Sequence, residues 1–193
     1  MPAAQKLLST IAVVRYIVLI MDIEIRAEKT ANRHGIKKVN DLAFEKPGED
    51  MMVEALRRNP RFVPALSLVA LASDAVVGHI LFFPIDIATP DGPAESLSLA
   101  PLAVHPDYQN MGIGARLVEM GIKAAASAGF ESIIVMGHPW YYPRFGFQPA
   151  SRWHIKPPME APDEAFMALE LIDCALHDKA GVVAYPAEYG VAM

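Results

Sequence analysis

The chain has 193 residues, a length that suits one domain with a substantial hydrophobic core. Hydrophobic residues make up 53% of it and charged residues 20%, which is typical of a globular protein and excludes a disordered chain. The formal net charge of -5 gives no support to a nucleic-acid partner, since such proteins usually carry a concentrated basic face. A cationic substrate fits this charge only loosely.

Cysteine occurs once, at Cys174, so neither an internal disulfide nor a multi-cysteine metal site can form. This usage favours a reducing compartment, and we expect a cytoplasmic protein without a metal cofactor. Cys174 comes at the end of a predicted strand, and we interpret it as a small buried thiol, not as a nucleophile.

The N-terminus is apolar over residues 7–21, with Arg15 near the middle of this run. The run is shorter than the roughly 20 residues that a membrane-spanning helix needs. No signal-peptide cleavage site follows, because residues 22–26 read directly into a strand. We therefore predict an N-terminal extension at 1–21 and one domain at 22–193. A packed extra element, or an upstream extension before a working start at Met21, is favoured over a membrane-surface segment.

Hydrophobic periodicity predicts an α/β fold, in which a mixed sheet carries helices on both faces. The predicted helices cover Thr30 to about Glu45, residues 49–58, and Gly112 to Gly129. The predicted strands cover residues 23–26, 66–72, 76–87, 95–104, 133–136 and 164–172, with a tight turn at Ser73 and Asp74. The proline-rich residues 157–162 indicate a stiff surface loop.

The third predicted helix has an apolar stripe that should pack on the sheet. Its members are Ile113, Leu117, Met120, Gly121, Ala124 and Ala128.

The loop before this helix carries the clearest chemical signal. A strand ends at Val104, Pro106 prevents its continuation, and the helix opens at about Gly112. Unpaired backbone N–H groups and the positive end of the helix dipole therefore point to one place, where a pyrophosphate fits. Gly112 and Gly114 let a bulky ligand approach the backbone, and Gln109 can add a hydrogen bond.

Two other phosphate-binding loops are excluded. A nucleotide-triphosphate loop would need a lysine after its last glycine, and none follows Gly114. A dinucleotide-binding turn would start directly after the strand and carry a third glycine where Leu117 stands, whereas residues 105–111 intervene here. The alternative to a pyrophosphate site is an ordinary helix start that contains glycines and binds no ligand.

Three further motifs flank the Gln-x-x-Gly-x-Gly pattern of residues 109–114. They are Pro-Leu-Ala-Val-His-Pro at 101–106, Gly-His-Pro-Trp-Tyr-Tyr-Pro-Arg-Phe-Gly-Phe at 137–147, and Pro-Asp-Glu-Ala-Phe-Met-Ala-Leu-Glu-Leu at 162–171. In this combination and order the chain resembles the GNAT superfamily of N-acetyltransferases, and more narrowly the YhbS-like acetyltransferases. The resemblance runs from about Asp22 to the end of the chain.

The resemblance implies the GNAT (acyl-CoA N-acyltransferase) fold, with acetyl-CoA as cosubstrate. The strand at 99–104 would splay from the strand at 133–136, and its backbone would pair with the pantetheine arm. The cofactor-binding residues that the resemblance implies are Leu102, Ala103, Val104, Gln109, Asn110, Met111, Gly112, Ile113, Gly114 and Ala115. Two positions depart from the usual pattern: Asn110 replaces a glycine or lysine, and His138 replaces an asparagine or aspartate.

The resemblance also places Tyr142 beside the cofactor sulfur, where it would act as general acid. The alternative is an aromatic side chain that only packs. The general base is open among Ser98, His138 and Glu164, and a water relay serves equally well. His79 stands at an apolar position, and we predict a hydrogen-bonded core histidine there.

The implied acceptor is a small-molecule or peptide amine. The acidic residues Glu45, Glu49, Asp50 and Glu54 would suit a cation, but a solvated helix face is the preferred interpretation. A non-catalytic acyl-CoA-binding or sensing module of the same fold is the main rival to an enzyme. A membrane-associated enzyme is a third hypothesis, and a homodimer is left open.

Overall fold

A computed structural model describes residues 23–44 and 48–191 of the chain. The predicted N-terminal extension, residues 1–21, lies outside the described residues, and so does Glu45.

Three α-helices and nine strands make up the described part. The helices are α1 (Arg33–Ala43), α2 (Glu49–Leu56) and α3 (Ile113–Ser127). The strands are β1 (Ile23–Ala27), β2 (Ser67–Ala72), β3 (Ala75–Thr89), β4 (Gly92–Val104), β5 (Ser132–Met136), β6 (Gln148–Pro149), β7 (Ile155–Lys156), β8 (Phe166–Glu170) and β9 (Gly181–Ala184).

The strands form one mixed sheet in the order β1-β2-β3-β4-β5-β8-β6, with β9 pairing both β3 and β7. Strands β1 to β4 run antiparallel. Tight turns join β2 to β3 and β3 to β4, and Ser73, in the first of these turns, has a φ of 55°. Strand β5 lies parallel to β4, because α3 carries the chain back across the sheet.

The sheet opens between β4 and β5. These strands pair only at Leu97 with Ile133 and at Ser98 with Ile134, although β4 continues to Val104. Beyond Ser98, the edge of β4 that faces β5 therefore has no strand partner in the described part of the sheet. The predicted splay is confirmed.

Helices cover both faces of the sheet, as predicted. On one face, Ile36 of α1 and Met52 and Leu56 of α2 pack with Leu81 and Phe83. On the other face α3 packs against β2, β3 and β4, where Leu117 and Val118 lie in one core with Phe82, Leu97 and Ile133. Each such fully buried side chain contributes about 1.5–3 kcal/mol through the hydrophobic effect.

The buried stripe of α3 differs from the predicted one. The residues that face the sheet are Ile113, Leu117, Val118, Gly121 and Ala125. Met120, which we expected to be buried, is 41% exposed, and Ala128 is exposed as well. The prediction was wrong at these positions because Met120 is apolar in type but lies one residue off the line of contact with the sheet.

Element ends also differ from prediction. The first helix starts as a 3-10 turn at Thr30–Asn32, and Glu164 lies in the 3-10 turn Asp163–Ala165, so it does not begin a strand. Cys174 is exposed, in a turn after β8, with a φ of 63°. The burial predicted for Cys174 was wrong because its neighbour Leu176, 1% exposed, fills the core at this turn.

His79 is confirmed as a hydrogen-bonded core histidine with no exposed surface. Its Nε2 lies 3.0 Å from Ser67 Oγ, which donates to a carboxylate oxygen of Glu28 at 2.6 Å. Its Nδ1 lies 3.4 Å from the side-chain amide nitrogen of Asn40. This pattern suits the neutral tautomer with the proton on Nε2, and burial lowers the pKa of His79 to about 3.

Candidate active site

The start of α3 presents its backbone N–H groups to an open cleft. A 3-10 turn at Pro106–Tyr108 follows β4, and the Gln109 side-chain amide donates to the Val104 carbonyl at 3.2 Å. Gly112 caps the helix with a φ of 79°, a left-handed conformation that favours glycine. The first-turn N–H groups have no helical acceptor, so they and the helix dipole favour an anion at this place.

The two glycines of the loop are required for different reasons. A Cβ on Gly114 would lie 3.0 Å from Tyr141 Oη and 3.6 Å from Val104 Cγ2. A Cβ on Gly112 would meet no protein atom within 4 Å, but the φ of 79° is a left-handed conformation that disfavours other residues. The expectation that Gly112 and Gly114 let a bulky ligand approach the backbone stays a prediction for both residues.

The cleft has a volume of about 700 Å³ and runs from the open edge of β4 to the start of α3. It brings together eight of the ten predicted cofactor-binding residues: Leu102, Val104, Gln109, Asn110, Gly112, Ile113, Gly114 and Ala115. Ala103 does not line it, because alternation along β4 turns this 1% exposed side chain into the sheet. Met111 packs against the core beside α3 and does not line the cleft either.

Tyr142 lines the cleft from the side of β5, in the 3-10 turn Tyr142–Phe145. Its ring packs edge-on against Tyr141 and Phe147, with centroids 5.2 and 5.6 Å away, and the side chain is 7% exposed. Gly137 makes room for this ring, since a Cβ there would lie 2.3 Å from Tyr142 Cε2. Burial raises the pKa of Tyr142 well above its ordinary value, so its phenol is protonated at neutral pH.

Six cleft residues were not predicted to have a role: Ala43, Phe44, Tyr108, Trp140, Tyr141 and Arg144. The Arg144 guanidinium lies over the Tyr141 ring, 4.9 Å from its centroid, which places a cation at the mouth of the cleft. Trp140, Tyr141 and Arg144 lie in the motif at 137–147, so the signal for them was present. The sequence of the motif alone does not show which of its side chains line the cleft and which pack in the core.

The three candidate substrate-side residues do not come together. His138 lines the cleft and stacks on Trp140, with centroids 5.1 Å apart. Ser98 is 3% exposed and lies where β4 last pairs with β5. Glu164 is exposed in its 3-10 turn and is not part of the cleft lining. Among these three, the structure places only His138 beside Tyr142.

Within residues 23–44 and 48–191, no group of three or more His, Cys, Asp or Glu side chains is arranged to hold a metal ion. In the same ranges, no helix is long and apolar enough to cross a membrane.

Comparison with known proteins relates this geometry to a family. Residues 27–147 match the acetyltransferase (GNAT) family. The uncharacterized N-acetyltransferase YhbS of Escherichia coli strain K12 is 30% identical over 162 residues, which are 83% of this chain and 95% of that protein. The uncharacterized N-acetyltransferase YjhQ of the same strain is 41% identical over 117 residues, 60% of this chain and 64% of that protein, just under two thirds of its length.

Solved structures agree with this relationship. Escherichia coli YhbS in complex with CoA has a TM-score of 0.81 at 28% identity, covering 88% of this chain and 92% of that one. A GNAT family acetyltransferase from Brucella melitensis in complex with acetyl-CoA has a TM-score of 0.71 at 28% identity, covering 86% and 97%. With the split sheet and the glycine-bearing helix start, these matches show that the chain belongs to the GNAT family of N-acetyltransferases.

Proposed function

We propose that this protein transfers the acetyl group of acetyl-CoA to a primary amine of a small molecule or peptide. The observation that carries the proposal is the split between β4 and β5, which opens onto the start of α3 and has the Tyr142 phenol on its wall. The crystallised relatives support the choice of cosubstrate, since YhbS is in complex with CoA and the Brucella protein with acetyl-CoA.

The cleft fits the parts of acetyl-CoA in order. The pyrophosphate would accept hydrogen bonds from the N–H groups of residues 112–115, with the Arg144 cation nearby. The pantetheine arm would lie along the open edge of β4, where Leu102 and Val104 offer both apolar side chains and unpaired backbone groups. The thioester would then reach the inner end of the split, near Ser98.

Acetyl transfer needs a neutral amine, an acid for the leaving thiolate and a stabilised oxyanion. An alkylammonium with a pKa near 10.4 is neutral in only about one molecule in a few thousand at pH 7, so a proton must be removed. The amine nitrogen then attacks the thioester carbon, and backbone N–H groups of β4 can stabilise the negative oxygen that forms. When the C–S bond breaks, the protonated Tyr142 phenol can donate to the thiolate.

A two-step experiment tests this function. Acetyl-CoA and CoA are first titrated calorimetrically into the full chain, and thiol release is then followed with a panel of primary amines. We expect binding of both ligands and thiol release with at least one amine. Gly114→Val should weaken CoA binding at least 10-fold, because its side chain would enter the cleft beside Tyr141. Tight binding without thiol release from any amine would instead favour the non-catalytic acyl-CoA-binding module.

A further inference from the structure

A second cavity adjoins the candidate active site at Tyr108, the residue that lines both. It has a volume of about 480 Å³. Its walls come from the start of α1 with the 3-10 turn before it, from the turn between β2 and β3 with the start of β3, and from the turn after β4. Neither Tyr142 nor the open edge of β4 lines it, so a ligand bound here is not placed for acetyl transfer.

The buried part of this cavity carries one polar side chain, Asn32, which is 8% exposed. Its Oδ1 accepts hydrogen bonds from the Lys29 backbone N–H at 2.9 Å and from the Arg26 guanidinium at 3.0 Å. Its Nδ2 has no hydrogen-bond acceptor among residues 23–44 and 48–191, yet it is not sealed from solvent, so its N–H groups meet the cavity. Buried amides are normally paired, and this one therefore offers a donor to a ligand.

Two further hydrogen-bond donors line the same cavity. In His105, Nδ1 accepts the Asp107 backbone N–H at 3.2 Å, so the proton of the neutral ring is on Nε2. The His105 ring packs edge-on against Tyr108, with centroids 5.7 Å apart, which holds it at the cavity wall. Lys38 adds an ammonium from α1. With the Asn32 amide these groups suit a carboxylate, which accepts several hydrogen bonds.

Opposite charges line the cavity without touching one another. Asp74 comes from the turn between β2 and β3, and Asp107 from the turn after β4. Within the described ranges, no oppositely charged side chain lies within 4.0 Å of Lys38 or of Asp74. A small ligand that carries both charges can pair with each side at once.

We propose that this second cavity binds a free α-amino acid as a zwitterion. The ligand carboxylate accepts from the Asn32 amide, from His105 Nε2–H and from the Lys38 ammonium. The ligand ammonium lies beside Asp74 and Asp107. An inorganic anion would leave the carboxylates without a partner, and a simple amine would leave the donors without one. This binding is independent of the acetyl transfer proposed above.

The test compares amino acids with analogues that lack one charge. The rest of the lining is small and apolar, with Ala31, Ala75, Val76 and Val77, so the probes are L-alanine and L-leucine. Each is titrated calorimetrically into the full chain at pH 7. The analogues are propanoate and ethylamine for L-alanine, and 4-methylpentanoate and 3-methylbutylamine for L-leucine. We expect each analogue to bind about 10-fold more weakly than its amino acid, because one set of charged groups is left unpaired.

Charge-removing variants locate the binding, and the chain offers a matched control for each. Lys38→Met and Asp74→Asn should each weaken binding of the tighter probe about 5-fold. Lys37→Met changes the neighbouring residue of α1, and Asp91→Asn changes the turn between β3 and β4. Neither Lys37 nor Asp91 lines the cavity, so both controls should bind the probe as the wild type does.

Asn32→Asp tests the buried amide. It keeps the oxygen that accepts from Lys29 and Arg26 but replaces the unpaired donor with a second oxygen. This oxygen repels the ligand carboxylate, so the probe should bind about 10-fold more weakly. Thermal unfolding verifies the fold of each variant; should Asn32→Asp unfold, Lys38→Met and Asp74→Asn decide the question.

An amino-acid site is contradicted if neither probe binds the wild type, or if a single-charge analogue binds as tightly as its amino acid. It is also contradicted if Lys38→Met and Asp74→Asn bind like the wild type, or if Lys37→Met and Asp91→Asn weaken binding equally. None of these measurements requires acetyl-CoA, so they stand whether or not the protein transfers an acetyl group.

Discussion

Tyr142 is the residue that we propose as general acid. Its phenol lines the cleft, and burial keeps it protonated, which suits a proton donor and not a base. We expect Tyr142→Phe to lower kcat roughly 10²–10⁴-fold, the usual range for the loss of a general acid. Affinity for acetyl-CoA should change little, because the ring and its packing against Phe147 are retained.

Steady-state kinetics with one amine, together with calorimetric titration of acetyl-CoA, measure this prediction. Tyr141→Phe removes a hydroxyl from the same cleft and should reduce kcat far less. Wild-type turnover in Tyr142→Phe would show that the ring only packs and that the thiolate takes its proton elsewhere.

His79 makes the stability of the fold depend on pH. Its folded pKa of about 3 lies below the ordinary value of 6.5, so the unfolded chain binds the additional proton between these limits. The neutral histidine therefore stabilises the fold fully above pH 6.5, and this stability is lost as the pH falls towards 3. Linkage gives a loss of about 2 kcal/mol in the free energy of unfolding between pH 7 and pH 5 from this one group.

Urea denaturation at pH 7 and pH 5 tests this dependence. His79→Gln retains hydrogen-bonding groups but cannot titrate, so its free energy of unfolding should fall less between the two pH values than that of the wild type. His34→Gln, which replaces an exposed histidine, should keep the wild-type difference. An equal fall in the free energy of unfolding from pH 7 to pH 5 in the wild type and in His79→Gln would contradict the assignment of a neutral buried imidazole.

At the scale of elements, helix α3 depends on one glycine that touches the sheet. A Cβ on Gly121 would lie 2.0 Å from Phe82 Cε2, and the Phe82 side chain is fully buried, so its ring has little room to move away. Alanine would gain about 1 kcal/mol in helix propensity, but overpacking a core typically costs about 1–3 kcal/mol. With a contact this short we expect the upper end of that cost, so Gly121→Ala should lower the free energy of unfolding by about 1–2 kcal/mol.

Thermal unfolding is the direct measurement, and a melting temperature lower by roughly 2–8 °C corresponds to this loss in a chain of this size. Lys123→Ala changes an exposed position of the same helix and should stay within about 0.5 kcal/mol of the wild type. A stabilised Gly121→Ala would mean that the helix can move away from Phe82 at little cost.

The types of the longer elements could be predicted from the sequence, because the spacing of apolar residues and the glycines and prolines at element ends are local features. The alternation of β1, the long strands β3 and β4, and the glycine-bounded helix α3 all have such signals. The two-residue strands β6 and β7 have none, since tertiary neighbours alone decide whether two residues pair. The exposed Met120 and Cys174 show the same limit, because apolar type does not determine which face packs.

In the candidate site too, the parts that are local in sequence could be predicted, and the parts that only the fold brings together could not. The loop at residues 109–114 could be proposed as a phosphate site from the sequence alone, because its glycines, a strand end and a helix start lie close together in the chain. The cleft joins Val104, Gly114 and Tyr142, which come from β4, from the start of α3 and from the turn after β5, and only the packing of these elements brings them together.

At the scale of the whole molecule, one feature links the fold to the proposed function: β4 and β5 stop pairing after Ser98, and the candidate site lies around the opening that results. The start of α3 and the Tyr142 side chain both line the cleft at this opening. In the proposed function, this cleft would hold acetyl-CoA and the amine in one orientation, so that binding energy lowers the barrier to direct transfer.

The measurement that tests this account most directly follows both products of one reaction. The full chain is incubated with acetyl-CoA and the best primary amine of the panel, and mass spectrometry quantifies the acetylated amine while a thiol reagent quantifies free CoA. Acetyl transfer at the split sheet predicts that the two products appear in equal amounts, only when the amine is present, and much more slowly with Tyr142→Phe. CoA release without acetylated amine, or acetyl-CoA left intact with every amine, would contradict it.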